Sequence, residues 1–215
     1  MAAAVTTKRT SPIRAVLRFV AAVMMVSGVL LIADAGLTLA WQEPISAYLA
    51  AQDQSVLKHE YLNLPAKKVR KHRDQLKGDA IAKIELPAIH KTTYVVEGTD
   101  TGDLRKGPGH YPDTPLPGEH GTVAIAGHRT TYGAPFRHID SLSKGDRITV
   151  AMPDGTFVYR VYKTKIVDAS ALWVTRKVGF DQLILSACHP LHSAAQRVIV
   201  FARFVRRDKP EVKRS

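Results

Sequence analysis

The chain has 215 residues, 45% of them apolar, which is enough for one well-buried domain with short appendages. Its formal net charge of +12 suits a protein that works at an anionic envelope surface. The basic residues are scattered and accompany no nucleic-acid-binding motif, so we expect no nucleic-acid partner. The single cysteine excludes an internal disulfide, and the fold must therefore depend on its core even outside the cell.

A basic segment followed by an apolar one opens the chain. Residues 1–18 carry four basic side chains and no acidic one, and residues 19–41 contain one charged residue, Asp34. As a helix, residues 19–41 would be about 34 Å long, enough to cross a hydrocarbon core of about 30 Å. Asp34 would cost up to about 3 kcal/mol at the middle of a bilayer. We expect a single-pass signal anchor, with the N-terminus cytoplasmic, Trp41 at the outer interface and the remaining chain extracellular.

A cleaved signal peptide is the alternative for the same segment. A basic start, a short apolar centre and the sequence Ala33-Asp34-Ala35 also fit that pattern. Both interpretations export most of the protein.

Residues 42–80 are predicted to form a helical and basic linker. Pro44 can occupy a first helical turn, and Pro65 interrupts the helical pattern. The basic run at residues 67–73 is predicted to be the solvated surface of a stalk. The apolar residues at roughly helical spacing are Ile45, Leu49 and Val56.

From Ile81 the pattern changes to short strands between glycine and proline turns. Residues 104–121 are rich in both and are predicted to be a rigid loop. Seven or eight short strands with little helix predict an all-β fold, a closed or nearly closed barrel over residues 81–207, followed by a charged tail at 208–215. The predicted strands are 81–86, 92–97, 122–126, 148–152, 157–161, 166–167, 183–185 and 198–205.

Cys188, the only cysteine, stands where an apolar run ends and a polar loop begins. A strand end holds the backbone rigidly and leaves the side chain accessible, as a nucleophile requires. The alternative is a small hydrophobic residue of the core. A reactive thiol needs a nearby imidazole or cation. His128, preceded by Gly127 at the end of one predicted strand, and Arg197, at the start of another, are the candidate partners.

Two segments carry a family resemblance. Residues 107–136, GPGHYPDTPLPGEHGTVAIAGHRTTYGAPF, and residues 183–204, LILSACHPLHSAAQRVIVFARF, resemble the signature blocks of sortases, the membrane-anchored cysteine transpeptidases of Gram-positive bacteria. The form is most similar to the class E sortases of actinobacteria, and the resemblance covers roughly residues 81–205. It implies an eight-stranded barrel with short helices, in which Cys188 is the nucleophile, His128 the catalytic histidine and Arg197 the residue that holds substrate and oxyanion.

The resemblance also implies the reaction and its partners. A sortase cuts a C-terminal sorting signal of the LAxTG or LPxTG type between threonine and glycine, through a thioacyl enzyme. It then joins the threonine carbonyl to an amine of a peptidoglycan precursor such as lipid II. We therefore expect surface proteins with sorting signals as partners, a monomer, and no cofactor. The residues placed at the substrate are Thr131, Tyr132, Ser186, Ala187 and His189, and the segment of Tyr132 is expected to favour alanine in the signal.

One departure from the family pattern concerns the nucleophile's own strand. Sortases usually have TLxTC, whereas residues 184–188 read ILSAC, so both threonines are missing. The hydroxyl before the cysteine, which is thought to help position substrate, is absent at Ala187. We expect an altered rate or specificity.

Cys188, His189 and His192 form a CHxxH sequence that could suggest a metal site. Without a second cysteine or a carboxylate cluster at ligand spacing, we expect neither zinc nor calcium. His110 and His120, in the glycine- and proline-rich loop, are expected to be structural or exposed to solvent.

Two alternative functions remain open. A pilin-polymerising sortase would use a lysine of another subunit as its amine, although no lid motif precedes Ile81. A catalytically silent binding module is suggested by Ile184 and Ala187. Retention of His128, Cys188 and Arg197 together favours the enzyme.

Overall fold

A computed structural model describes residues 12–40 and 44–210, which divide into two compact units, residues 1–44 and 45–215. Helix α1 (Pro12–Ala40) is the described element of the first unit and begins earlier than the predicted residue 19. It contains an 18-residue window of mean hydropathy 2.4, so it is long and apolar enough to cross a membrane, although a signal sequence passes the same test. Residues 1–11, Trp41 and the end of the predicted tail, 211–215, lie outside the described residues.

The second unit contains a closed eight-stranded barrel in the order β1-β2-β3-β4-β7-β8-β6-β5. The β2–β3 and β4–β7 pairs are parallel, and the other neighbours are antiparallel. The predicted all-β barrel is confirmed. Its strands are β1 (Ala80–Leu86), β2 (Lys91–Glu97), β3 (Gly109–His110), β4 (Thr122–Ala126), β5 (Arg147–Met152), β6 (Gly155–Asp168), β7 (Gln182–His189) and β8 (Gln196–Asp208).

Three details of the barrel differ from the prediction. The runs at 157–161 and 166–167 belong to one long strand, β6, because β8 pairs with it along its whole length. The eighth strand is instead β3, two residues inside the region predicted as a loop. Strand β8 continues to Asp208, so the predicted tail begins within the barrel.

Short helices surround the strands. Helices α2 (Pro44–Asn63) and α3 (Ala66–Lys71) precede the barrel, and α4 (Thr101–Lys106) overlaps the start of the predicted loop at 104–121. Single turns of 3-10 helix lie at Arg73–Leu76, Pro87–Ile89, Ile139–Ser141 and Leu172–Thr175. The last of these lies in the connection from β6 to β7.

The alternation of side chains divides the apolar residues between two faces of the barrel wall. In β7, Leu183, Leu185 and Ala187 point into the main core. Ile184, on the other face, packs outside the barrel in a second cluster. The remaining buried members of that outer cluster are Ala124, Val167, Val174, Ile199 and Phe201.

Helix α2 packs on the barrel through a face that the predicted spacing did not include. Leu57 and Tyr61 are buried against Ala80 of β1 and Val96 of β2. Leu49 and Val56, two of the predicted apolar positions, are 51% and 56% exposed. The side chain of Ile45 lies outside the described residues. The helix was predicted correctly and its buried face was not.

The prediction that the basic run at 67–73 forms a solvated stalk surface is wrong for three of its residues. Val69 is 1% exposed and belongs to the main core. Arg70 bonds to Asp154 at 2.8 Å, and Arg73 donates to the carbonyl oxygen of Pro112 at 2.6 Å. These side chains attach the segment to the barrel because its cations find acceptors there.

Candidate active site

Strand register brings two of the predicted catalytic residues together. Cys188 of β7 stands directly opposite Arg197 of β8 in the antiparallel ladder. Directly opposed residues place their side chains on the same face, with Cβ atoms about 5 Å apart. The Nη1 atom of Arg197 donates to the carbonyl oxygens of Ala194 and Gln196, each at 2.9 Å. The guanidinium is thereby held at the end of the strand that carries the thiol.

His128 reaches the same level from the other side of β7. Strands β4 and β7 are parallel, with Ala126 beside Ser186, and the amide of Gly127 donates to the carbonyl of Ser186 at 3.0 Å. His128 follows Ala126 by two residues, as Cys188 follows Ser186. The imidazole, thiol and guanidinium therefore come from the same end of three neighbouring strands.

The ring of His128 is enclosed on one side by Tyr132, whose centroid lies 5.1 Å away. Burial lowers the pKa of His128, and the positive charge of Arg105 lowers it further. Its Nε2 atom is buried and has no hydrogen-bond partner among the residues that the structure describes. The imidazole is thus biased towards its neutral form and keeps one ring nitrogen free for a ligand or for proton transfer.

Gly127 allows the strand to pass directly under an aromatic ring. A Cβ atom added at this residue would lie 2.6 Å from Cδ2 of Phe136, closer than side chains pack. The amide of Phe136 in turn donates to the carbonyl of His128 at 3.0 Å. The close approach of the Phe136 ring to the backbone at Gly127 fixes the path of the chain at His128.

Arg129 is a site residue that the sequence did not reveal. It is 3% exposed, and its Nη2 atom bonds to Asp140 at 2.7 Å. Its Nε atom donates to the carbonyl of Arg137 at 3.2 Å. Its Nη1 atom lies 3.3 Å from the carbonyl of Cys188 and 3.2 Å from Nδ1 of His189. One buried guanidinium therefore ties the segment after His128 to the end of the strand that carries Cys188.

An apolar groove of about 420 Å³ runs along the outer face of β7 and β8. Ser186 and Arg197 line it at the end nearest the thiol, since they are the same-face neighbour of Cys188 and its cross-strand partner. The Leu172–Thr175 turn forms the opposite wall. The apolar lining includes Val167, Ala171, Leu172, Val174, Ile184 and Ile199.

The predicted substrate residues lie in four different places. Ser186 lines the groove, whereas Ala187 lies on the opposite face of the strand, is 3% exposed and packs in the main core. The expected contact of Ala187 with substrate therefore disagrees with the structure. His189 faces Arg129. Tyr132 covers His128, and the carbonyl of Thr131 accepts the amide of Ala134 at 2.9 Å.

The remaining histidines have different surroundings. His110 is fully buried, with Nδ1 2.8 Å from Oε2 of Glu97, and His120 is exposed, with Nδ1 3.1 Å from Asp181. Within residues 12–40 and 44–210, no cluster of three or more histidine, cysteine or acidic side chains is placed to hold a metal ion.

Comparison with known proteins identifies the family of the chain. A family model described as the Sortase domain matches residues 84–205. The chain belongs to the sortase family. The resemblance seen in the sequence is confirmed, and relatives of the predicted class E are among the matches.

Curated sortases are similar in sequence to this chain. It is 38% identical over 132 residues to sortase D of Bacillus subtilis and 31% identical over 144 residues to sortase SrtE1 of Streptomyces coelicolor. Each alignment covers 60% of this chain, and the alignments span 65% and 41% of those two relatives. The chain thus spans less than two thirds of the length of either.

Solved structures agree on the fold. Sortase E1 from Streptomyces coelicolor, determined with a tripeptide in its active site, is 29% identical, with a TM-score of 0.59 over 61% of this chain and 91% of that one. The Clostridium perfringens sortase D5 transpeptidase is 26% identical, with a TM-score of 0.63 over 74% and 99%.

Proposed function

We propose that this chain is a cysteine transpeptidase that cuts a C-terminal sorting signal and transfers the protein to a cell-wall amine. The observation that carries the proposal is the convergence of Cys188, His128 and Arg197 at the end of three neighbouring strands, at the head of an apolar groove. Each of the three supplies a different chemical function that acyl transfer needs.

In the first half-reaction the thiolate of Cys188 attacks the carbonyl of the scissile peptide bond. The developing oxyanion is stabilised by the guanidinium of Arg197, which is permanently charged and stands across the ladder from the sulfur. His128 gives a proton to the departing amine, and a thioester to Cys188 remains. Burial lowers the pKa of His128 and favours its neutral form, so the imidazole must gain a proton before it can act as this acid.

The groove supports an extended peptide as the donor substrate. Its apolar lining fits the leucine at the start of an LAxTG or LPxTG signal, while Ser186 and Arg197 contact the polar backbone next to the thiol. Surface proteins that carry such a signal are the proposed clients, and a peptidoglycan precursor is the proposed acceptor.

We also propose the location of the enzyme. Helix α1 is apolar enough to act as a single-pass anchor, and the basic residues before it keep the N-terminus in the cytoplasm. The catalytic unit then lies outside the membrane, where both substrates are found.

Mass spectrometry of the enzyme mixed with an LAxTG peptide tests the reaction. A thioacyl adduct on Cys188 is expected, with none in Cys188→Ala and a loss of about a hundredfold or more in the rate of adduct formation in Arg197→Ala. Arg147→Ala, an exposed arginine on β5, is the matched control and should react normally. An unmodified Cys188 across LAxTG and LPxTG peptides, with those peptides still bound, would establish a silent binding module instead.

A further inference from the structure

A second cleft, of about 400 Å³, lies on the His128 side of the site. It is bounded by helix α2, by strand β2 and by the segment that follows His128. In the barrel order the groove lies at β7 and β8, whereas β2 lies on the far side of β4. The two openings therefore approach the row of catalytic residues from opposite directions. Its lining includes Ala47, Ala50, Lys91, Tyr132 and Gly133.

Lys91 is a charged group of the cleft that is available to a ligand. Its ammonium makes one long contact, 3.4 Å to the carbonyl of Gly133, and it has no carboxylate partner in the described part of the chain. Lys106 directs its ammonium to the carbonyl of Gly78 at 2.8 Å, and the amide of Gln54 is occupied by backbone and Thr93. Burial lowers the pKa of Lys91, and a bound anion would offset that cost.

Tyr132 belongs both to the lining of the cleft and to the surroundings of His128. Its ring lines the cleft and lies 5.1 Å from the imidazole, centroid to centroid. Arg105 lies over the same ring, with its Cζ atom 5.7 Å from the centroid. An aromatic ring that lines the cleft therefore lies beside the imidazole that must take a proton from an incoming amine.

We propose that this cleft binds the acyl acceptor, an amine that also carries a carboxylate, with Lys91 as the partner of the carboxylate. The inference rests on the transpeptidase function proposed above and adds the place and the charge of the second substrate. Small side chains on α2, such as Ala47 and Ala50, leave room for the acceptor's backbone.

The second half-reaction follows from this placement. The acceptor nitrogen attacks the thioester carbonyl, a new amide bond forms, and the carbon–sulfur bond to Cys188 breaks. The thiolate of Cys188 leaves, and the proton lost by the amine goes to Nε2 of His128, which is unoccupied by other described residues. Approach from the cleft also leaves the donor peptide undisturbed in the groove.

Acceptor kinetics of the full-length chain in detergent test the proposal. Triglycine and triglycinamide serve as acceptors that differ in the carboxylate, with an LAxTG peptide as the donor, and amide product and hydrolysis product are quantified separately. For the unmodified enzyme we expect a KM about tenfold lower for triglycine than for triglycinamide. This comparison needs no variant and cannot be confused with misfolding.

Substitutions then show which residue causes the preference for triglycine. Lys91→Met should raise the KM for triglycine about tenfold and leave that for triglycinamide nearly unchanged, and Lys91→Arg should restore part of the preference. Lys144→Met, at an exposed lysine, removes the same charge elsewhere and should leave both constants unchanged. Equal KM values for the two acceptors, or a triglycine preference that survives in Lys91→Met, would overturn the acceptor site while thioacyl formation and hydrolysis still support the transpeptidase. Absence of the thioacyl enzyme itself would overturn both proposals.

Discussion

The two halves of the active site are held by different kinds of interaction. Cys188 and Arg197 lie inside a continuous ladder between β7 and β8, and backbone hydrogen bonds set their positions. His128 lies beyond the end of β4, in a segment positioned by Arg129, by the ring of Phe136 and by helix α2. The thiol and the guanidinium are thus strand-borne, and the imidazole is loop-borne.

This difference determines where the site is sensitive to substitution. Ladder hydrogen bonds are made by the backbone, so most side-chain changes on β7 and β8 leave the spacing of Cys188 and Arg197 intact. The segment at His128 depends on a few specific side chains, and the loss of one of them moves the imidazole. We therefore expect the larger indirect effects on the loop-borne half.

Removal of Arg129 should give the largest of these effects. Arg129→Met leaves the carbonyls of Arg137 and Cys188 without their donor and removes the bond to Asp140, so we expect the free energy of unfolding to fall by about 3 kcal/mol. Urea denaturation measures this loss. Because the end of β7 also loosens, the alkylation rate of Cys188 by iodoacetamide should change in the folded variant.

Asp140→Asn is the matched control for Arg129→Met. Asp140 is exposed, so its ion pair with Arg129 contributes little to stability. We expect the free energy of unfolding to fall by less than about 1 kcal/mol. If Arg129→Met cost no more than Asp140→Asn, the buried guanidinium would not be what holds the two halves together.

Gly127→Ala should have the next largest effect. We expect it to lower the free energy of unfolding by about 2 kcal/mol, because the new Cβ would collide with the ring of Phe136. Thermal unfolding gives the change in stability. Phe136→Leu in the same chain should recover part of the loss if the ring is the obstacle. An additive double variant would show instead that the glycine acts through its backbone conformation.

Sequence reasoning could locate the strand-borne half for a physical reason. The apolar runs of β7 and β8 are local features of the sequence, and their ends marked where Cys188 and Arg197 would lie. The prediction of an eight-stranded barrel came from the number of short predicted strands together with the family resemblance.

The loop-borne half could not be predicted in the same way. The contacts of Arg129 join residues up to 60 positions apart, and no local pattern distinguishes a buried arginine from a surface one. Strand β3 was missed because its two residues take their pairing from β2 and β4 rather than from their own periodicity. The basic run at 67–73 was assigned to solvent because its acceptors, such as Asp154, lie in distant segments.

Ala187→Thr tests the strand-borne half and should lower the free energy of unfolding by about 1 kcal/mol. The family pattern has threonine here, but position 187 faces the core, so the new hydroxyl would be buried among apolar side chains. Ala187→Val is nearly isosteric with threonine and separates shape from polarity. Chemical denaturation of both variants, with the rate of thioacyl formation, measures the outcome. A faster reaction in Ala187→Thr and not in Ala187→Val would show that the hydroxyl reaches the substrate after all.

Arg105→Gln should have the smallest effect of these substitutions. It changes the charge beside His128 in the loop-borne half, and the quantity expected to change is the pKa of His128. The pKa of His128 is lowered first by burial and second by the positive charge of Arg105, so removal of that charge should raise it partway towards its usual value. NMR titration of the His128 ring protons, identified by their loss in His128→Asn, measures the change. Imidazolium would then persist to higher pH, and the acid limb of the rate profile should move in the same direction. Arg147→Gln removes an exposed charge on β5 and should leave both unchanged; an equal shift in that control would mean that net charge, rather than the cation beside Tyr132, sets the protonation of the imidazole.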